Sequence, residues 1–263
     1  MKALQLAPIA LAILLGGTTA SLAQTPEERG LEISEQVSAQ LDGFQDSTAS
    51  MTMTLISRSG KESVRRMRAI TLEVANDGDK SMTIFDEPAD VKGTATLTYS
   101  HTAEADEQWL YLPALKRVKR ISSKNKTGAF MGSEFAFEDI GSQEVEKYTY
   151  KYLSEEQLDG VAVHKIEAYP TYKYSGYTRI INYIDQERLV SLKTEFYDRK
   201  DALLKTLTLS DYIHHDDKNW RPARMEMINA QTKKSTILEF ADYKFANGLN
   251  DKDFSSNALK KLR

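Results

Sequence analysis

Apolar and polar positions divide the chain into one helical stretch followed by a long run of alternating stretches. Thr25, Pro26, Glu27 and Glu28 supply an N-cap, a proline at the first helical position and a glutamate placed for a capping box. Ile33, Val37, Leu41 and Phe44 then recur at helical spacing as one apolar stripe, and Gly43 marks a stop. The period changes at "SMTMTLIS", where Met51, Met53 and Leu55 share one face and Thr52 and Thr54 the other. Similar segments follow, from "SVRRMRAITLEV" and "KSMTIFDE" to "RPARMEMINA" and "STILEFADY". Turn signals such as Asn76-Asp77-Gly78 and Leu158-Asp159-Gly160 separate them. The pattern predicts about eleven to thirteen strands joined by short links, hence antiparallel meanders curled around or packed on the helix.

The first 23 residues read as an export leader rather than as fold. Lys2 precedes a short apolar run, and "SLA" gives a small-residue cleavage pattern ending at Ala23. The run holds about 13 residues, against the roughly 20 that span a bilayer. Residues 24–263 are then expected to form one domain. The chain contains no cysteine, so neither a disulfide nor a lipid-modified N-terminal cysteine is available. Without the leader, 34 basic residues face 38 acidic ones, a net charge of −4, which argues against general nucleic-acid binding.

Candidate catalytic chemistry is sparse. The four histidines are His101, His164, His214 and His215. The "HHDD" run at 214–217 has metal-ligand residue types. Adjacent side chains on a strand diverge, however, and the run sits where a solvated hairpin turn is expected. No G-x-S-x-G elbow, phosphate-binding glycine loop or H-E-x-x-H motif is present. Glu138 and Asp139 are adjacent carboxylates with nothing to mark them as acid and base. A Ser-His-Asp arrangement assembles in space and is not legible along a chain, so a secreted lipid or glycan hydrolase using His164 or His214 stays open as a third reading.

Residues 108–141 carry the densest signal. An aromatic strand runs into Lys116, Arg117, Lys119, Arg120, Lys124 and Lys126, and then into an apolar segment punctuated by Gly128 and Gly132. "WLYLPALKRVKRISS" followed by "GAFMGSEFAFEDI" resembles the signature of the outer-membrane lipoprotein-sorting protein family, the LolA-like group. The similarity extends to "MTMTLISRSGK", "GTATLTY" and the stretch from "NWRPARMEMINA" to "NDKDFSSNAL", most of the chain after the leader.

The resemblance implies a mainly β fold with helices. It would be a half-open antiparallel barrel of roughly eleven strands wrapped around an N-terminal helix and a helical lid. It further implies a monomeric periplasmic carrier that needs no cofactor. Such a carrier binds lipid or lipoprotein acyl chains, touches membrane surfaces transiently and works beside an inner-membrane RND-type transporter. The lipid cavity is expected at Met51, Met53, Leu55, Met82, Ile84, Leu97, Tyr99, Trp109, Tyr111, Phe130, Met131, Phe135 and Phe137. In this reading Trp109 and Tyr111 point inward, and residues 130–137 form a glycine-hinged gate. The six cations would edge the cavity or dock a partner; a solvated edge strand protected by lysines fits them equally. A non-carrying adaptor that docks on the exporter through these cations is the alternative function.

Overall fold

The first helix forms as its cap predicts. In the computed structural model, which describes residues 24–215 and 219–260, α1 spans Pro26–Leu41. The Thr25 side chain accepts from the Glu28 N–H, and Glu28 accepts from the Thr25 N–H, satisfying two helix-end donors. Gly43 follows with φ +86°, a left-handed turn that a side chain would strain. The expected leader, as well as Asp216 and Asp217 of the histidine-acidic run, lies outside the described residues.

Thirteen strands follow, the upper end of the expected range. The first meander comprises β1 (Asp46–Ile56), β2 (Glu62–Leu72), β3 (Lys80–Glu87), β4 (Ala95–Tyr99), β5 (Glu107–Leu112) and β6 (Arg117–Ile121). The second comprises β7 (Tyr148–Leu158), β8 (Val161–Pro170), β9 (Tyr177–Asp185), β10 (Ser191–Asp198), β11 (Leu203–His215), β12 (Asn219–Asn229) and β13 (Ser235–Phe245). Within each meander every strand pairs with its sequence neighbour, and β1 also pairs with β13, so the two meanders fuse into one antiparallel sheet. The sheet is not closed: β6 and β7 are its two edges, and residues 122–147 connect them. This is a half-open barrel.

Direct cross-strand partners share a face, so register sorts the side chains. Met51 opposes Met67, and Met67 opposes Phe85, all on the inner face. Ile180, Phe196, Leu207, Met227 and Leu238 of the second meander join the same core, which Phe130 and Phe135 fill from the β6–β7 connection. α1 lies on the inner face of the second meander, with Ile33 fully buried against Ile166 and Ile184. On the outer face Met82, Ile84 and Leu97 are covered by Phe254 and by Leu259 of the short C-terminal helix α2 (Ser256–Leu259). In place of a helical lid, the connection makes short 3-10 turns at Phe130–Gly132 and Phe137–Asp139.

Candidate functional site

Side-chain size along β1 and β2 decides where space remains. Toward one end the inward positions carry Met51, Met53 and Met67, and the core is full. Toward the other end Ala49 opposes Ala69, and Ser47 opposes Thr71. These small residues leave the wall recessed beneath α1, opening a cavity of about 920 Å³. Val37 and Leu41 of α1, Phe44, Ile184, Phe240 and Tyr243 supply its apolar surface. Its volume lies within the ~300–1,000 Å³ common for small-molecule sites. Ala69 and Phe240 also touch the inner core, so cavity and core share a wall.

The mouth is acidic. Asp42, Glu73, Asp77, Asp79, Glu144 and Glu146 line it, with Arg221 as the one lining cation among the described residues. Burial, reinforced by Glu144, Glu73 and Asp42, pushes the Asp79 carboxyl up to about 7. Burial also raises Asp42 and Glu144 from their ordinary carboxylate values. Asp77 goes the other way, to about 2, chiefly through its 2.7 Å hydrogen bond with His101 Nδ1. Arg221 lies over the rings of Phe44 and Phe245 and donates to the Leu41 carbonyl at 3.3 Å, while burial lowers its pKa.

None of the thirteen expected cavity residues lines this space. Register splits them between the two faces of the sheet. Met51, Met53, Leu55, Phe130, Met131, Phe135 and Phe137 belong to the inner core. Met82, Ile84, Leu97, Tyr99, Trp109 and Tyr111 pack outside, beneath the C-terminal segment, where Tyr99 donates to the Phe254 carbonyl. The inward orientation expected for Trp109 and Tyr111 is therefore corrected: Gln108 points inward and donates to the Phe137 carbonyl at 2.8 Å.

The expected gate is a fastened plug. Phe130 and Phe135 are buried. Lys205 Nζ donates to the Glu134 carbonyl at 3.0 Å and pairs with the buried Asp139, to which the Tyr177 hydroxyl donates at 2.6 Å. Asn229 donates to Glu134 at 2.7 Å, and Arg65 donates to the Met131 carbonyl. Both meanders thus hold the segment.

The six cations also divide. Lys116, Arg117, Lys119 and Arg120 are exposed along the β5–β6 hairpin, Lys124 is exposed beyond it, and Lys126 is buried. Lys126 donates to Asp106 at 3.2 Å, and burial lowers its pKa, so it is no part of a rim. None of the six lines the cavity. His214 stacks on Trp220 at 4.4 Å, and His215 lies against Tyr243 and Phe245, so the two diverge as strand geometry requires. His164 is buried edge-on to Tyr152.

The cavity was missed because the signal sought was large apolar side chains, whereas the space is made by small ones. The readable trace is the inward pair of runs Ser47-x-Ala49 and Ala69-x-Thr71.

A family model described as an uncharacterized protein matches residues 77–261. No curated protein matches the sequence. Among solved structures, a domain assigned to outer membrane lipoprotein sorting from Vibrio parahaemolyticus is 53% identical, with a TM-score of 0.88 over 89% of this chain and 99% of that one. A DUF1329 family protein from Desulfovibrio piger is 29% identical, with a TM-score of 0.85 over 89% and 99% of the two chains. A LolA superfamily protein from Nitrosomonas europaea shares the fold at 20% identity, with a TM-score of 0.71 over 87% and 98%.

Proposed function

The chain belongs to the LolA-like, outer-membrane lipoprotein-sorting family, and from that premise we propose that it is a periplasmic carrier that shields an acyl chain of lipid or lipoprotein in the cavity beneath α1. The observation that carries the reading is the 920 Å³ space itself, walled by Val37 and Leu41 of α1 and by Ala49, Ala69, Ile184 and Phe240 of the sheet, beside a core packed with methionine and aromatic side chains. An acyl chain laid along these residues leaves water for an apolar wall. At roughly 0.8 kcal/mol per methylene, ~10 buried methylenes supply ~8 kcal/mol before ordering costs. That magnitude corresponds to about micromolar retention, tight enough to carry and weak enough to release.

The cargo's polar end lies toward Asp77, Asp79 and Glu144. These carboxylates repel a phosphate, so the reading favours an uncharged or amine-bearing end at the mouth. Carriage needs binding and release only, and the carrier reading assigns no catalytic residue or cofactor. Exchange with an inner-membrane RND-type transporter completes the cycle, as does transient contact with the membrane surface. Export with cleavage after Ala23 places the chain in the periplasm.

Mass spectrometry of the organic extract of protein purified from its native periplasm tests the carriage. Acyl-bearing molecules in stoichiometric amount are expected, and an extract free of them refutes it. Co-purification of an RND-type transporter from crosslinked membranes tests the partnership, and its absence removes that part alone.

A further inference from the structure

We propose that the outer edge of β6 is a docking edge, on which an extended acidic segment of a partner protein adds as a further strand. An open sheet has two edges, and here they are treated differently. Along β7 the helix α1 lies against the strand backbone: a side-chain carbon on Gly30 would come within 2.8 Å of the Tyr152 nitrogen. Along β6, among the described residues, no backbone hydrogen bond beyond the β5 ladder involves Arg117–Ile121. The outward N–H and C=O groups of this edge form a ready template for one more strand.

Charge selects the strand. Lys116, Arg117 and Lys119 are exposed and have no ion pair among the described residues, whereas neighbouring Arg120 is matched by Glu107 on β5. In an added strand, side chains opposite Arg117 and Lys119 lie directly across from cations, where acidic residues are favoured and basic ones repelled. Pairing with the β6 edge of a second copy of this chain is disfavoured on the same ground. Its own β6 would set cation against cation, and its β7 has α1 packed against the backbone at Lys151–Tyr152. An anionic bilayer would use the charges but leave the row of backbone groups unpaired. Leu115, 63% exposed at the hairpin tip, offers the incoming segment an apolar contact where the edge begins. The edge lies outside the cavity lining, so docking and carriage are separable.

The test titrates the mature protein with a short fluorescein-labelled peptide that alternates glutamate and threonine, read by anisotropy. Amide exchange across β6 is followed in parallel. Three comparison probes accompany it: the same peptide N-methylated throughout, its lysine-threonine counterpart, and phosphatidylglycerol vesicles. The glutamate peptide is expected to bind and to protect β6 amides that exchange freely without it. The N-methylated peptide, equal in charge but lacking donors, should bind at least ~10-fold more weakly, as should the R117E/K119E variant with the original peptide. That variant should keep its circular dichroism spectrum and its affinity for an acyl fluorophore. Failure of the glutamate peptide to bind overturns the proposal. So does equal binding of the N-methylated form or of the lysine-threonine peptide, absence of β6 protection, or binding to vesicles in place of peptide.

Discussion

Replacing Asp79 by asparagine tests whether the acidic mouth is held at a cost to the fold. Asp79 sits beside Asp42, Glu73 and Glu144, and burial is the largest of the influences that raise its carboxyl from 3.8 to about 7. Below pH ~4 the folded and unfolded chains both hold this proton. As pH rises from ~4 to ~7 the unfolded chain releases it while the folded chain retains it, so stability falls across that window and is level above it. A full displacement of this size corresponds to ~4 kcal/mol, and the partial exposure of the group reduces it to ~2 kcal/mol. The amide introduced by Asp79→Asn cannot ionise, so the variant should gain on the natural protein as pH rises. Urea unfolding at pH 5 and pH 8 with unchanged m values reads this directly, and the variant's advantage should grow by ~1–2 kcal/mol between the two. An advantage that is the same at both pH values refutes the reasoning.

Two further substitutions probe the parts that frame the site. Lys205→Met strands the buried Asp139 and loosens the plug, with an expected loss of ~3–5 kcal/mol in denaturant unfolding; the K205M/D139N pair should recover part of it. Phe254→Ala opens the fully buried contact over Met82 and Leu97, and thermal unfolding should show a loss of ~3–5 kcal/mol.

The helix and the meander were legible because their signals are local. Thr25 and Glu28 write the cap, and two-residue alternation writes strands such as Met51 to Leu55. Face assignment was not local. Met53 and Met82 look alike in sequence, yet one faces the plug and the other the C-terminal segment, because pairing through β2 and β3 settles which side each takes. The register of Trp109 was likewise fixed by Phe254, which lies 145 positions further along the chain and shares its outer-face cluster. The plug was recognised by its residues but not by its fastening, which depends on Lys205, Asn229 and Thr236 of the second meander. Lys126 read as one more surface cation because its partner Asp106 precedes it by twenty residues, across the hairpin.

The central claim is that the recess made by small side chains on β1 and β2 holds the acyl chain. Titration of an acyl fluorophore into the natural protein and into Ala69→Trp, both shown to be folded by circular dichroism, tests it most directly. An indole at position 69 projects into the 920 Å³ space opposite Ala49. The account predicts saturable, about micromolar binding to the natural protein, weakened at least ~10-fold in the variant. Equal affinity in the two proteins, or no binding to either, would contradict it.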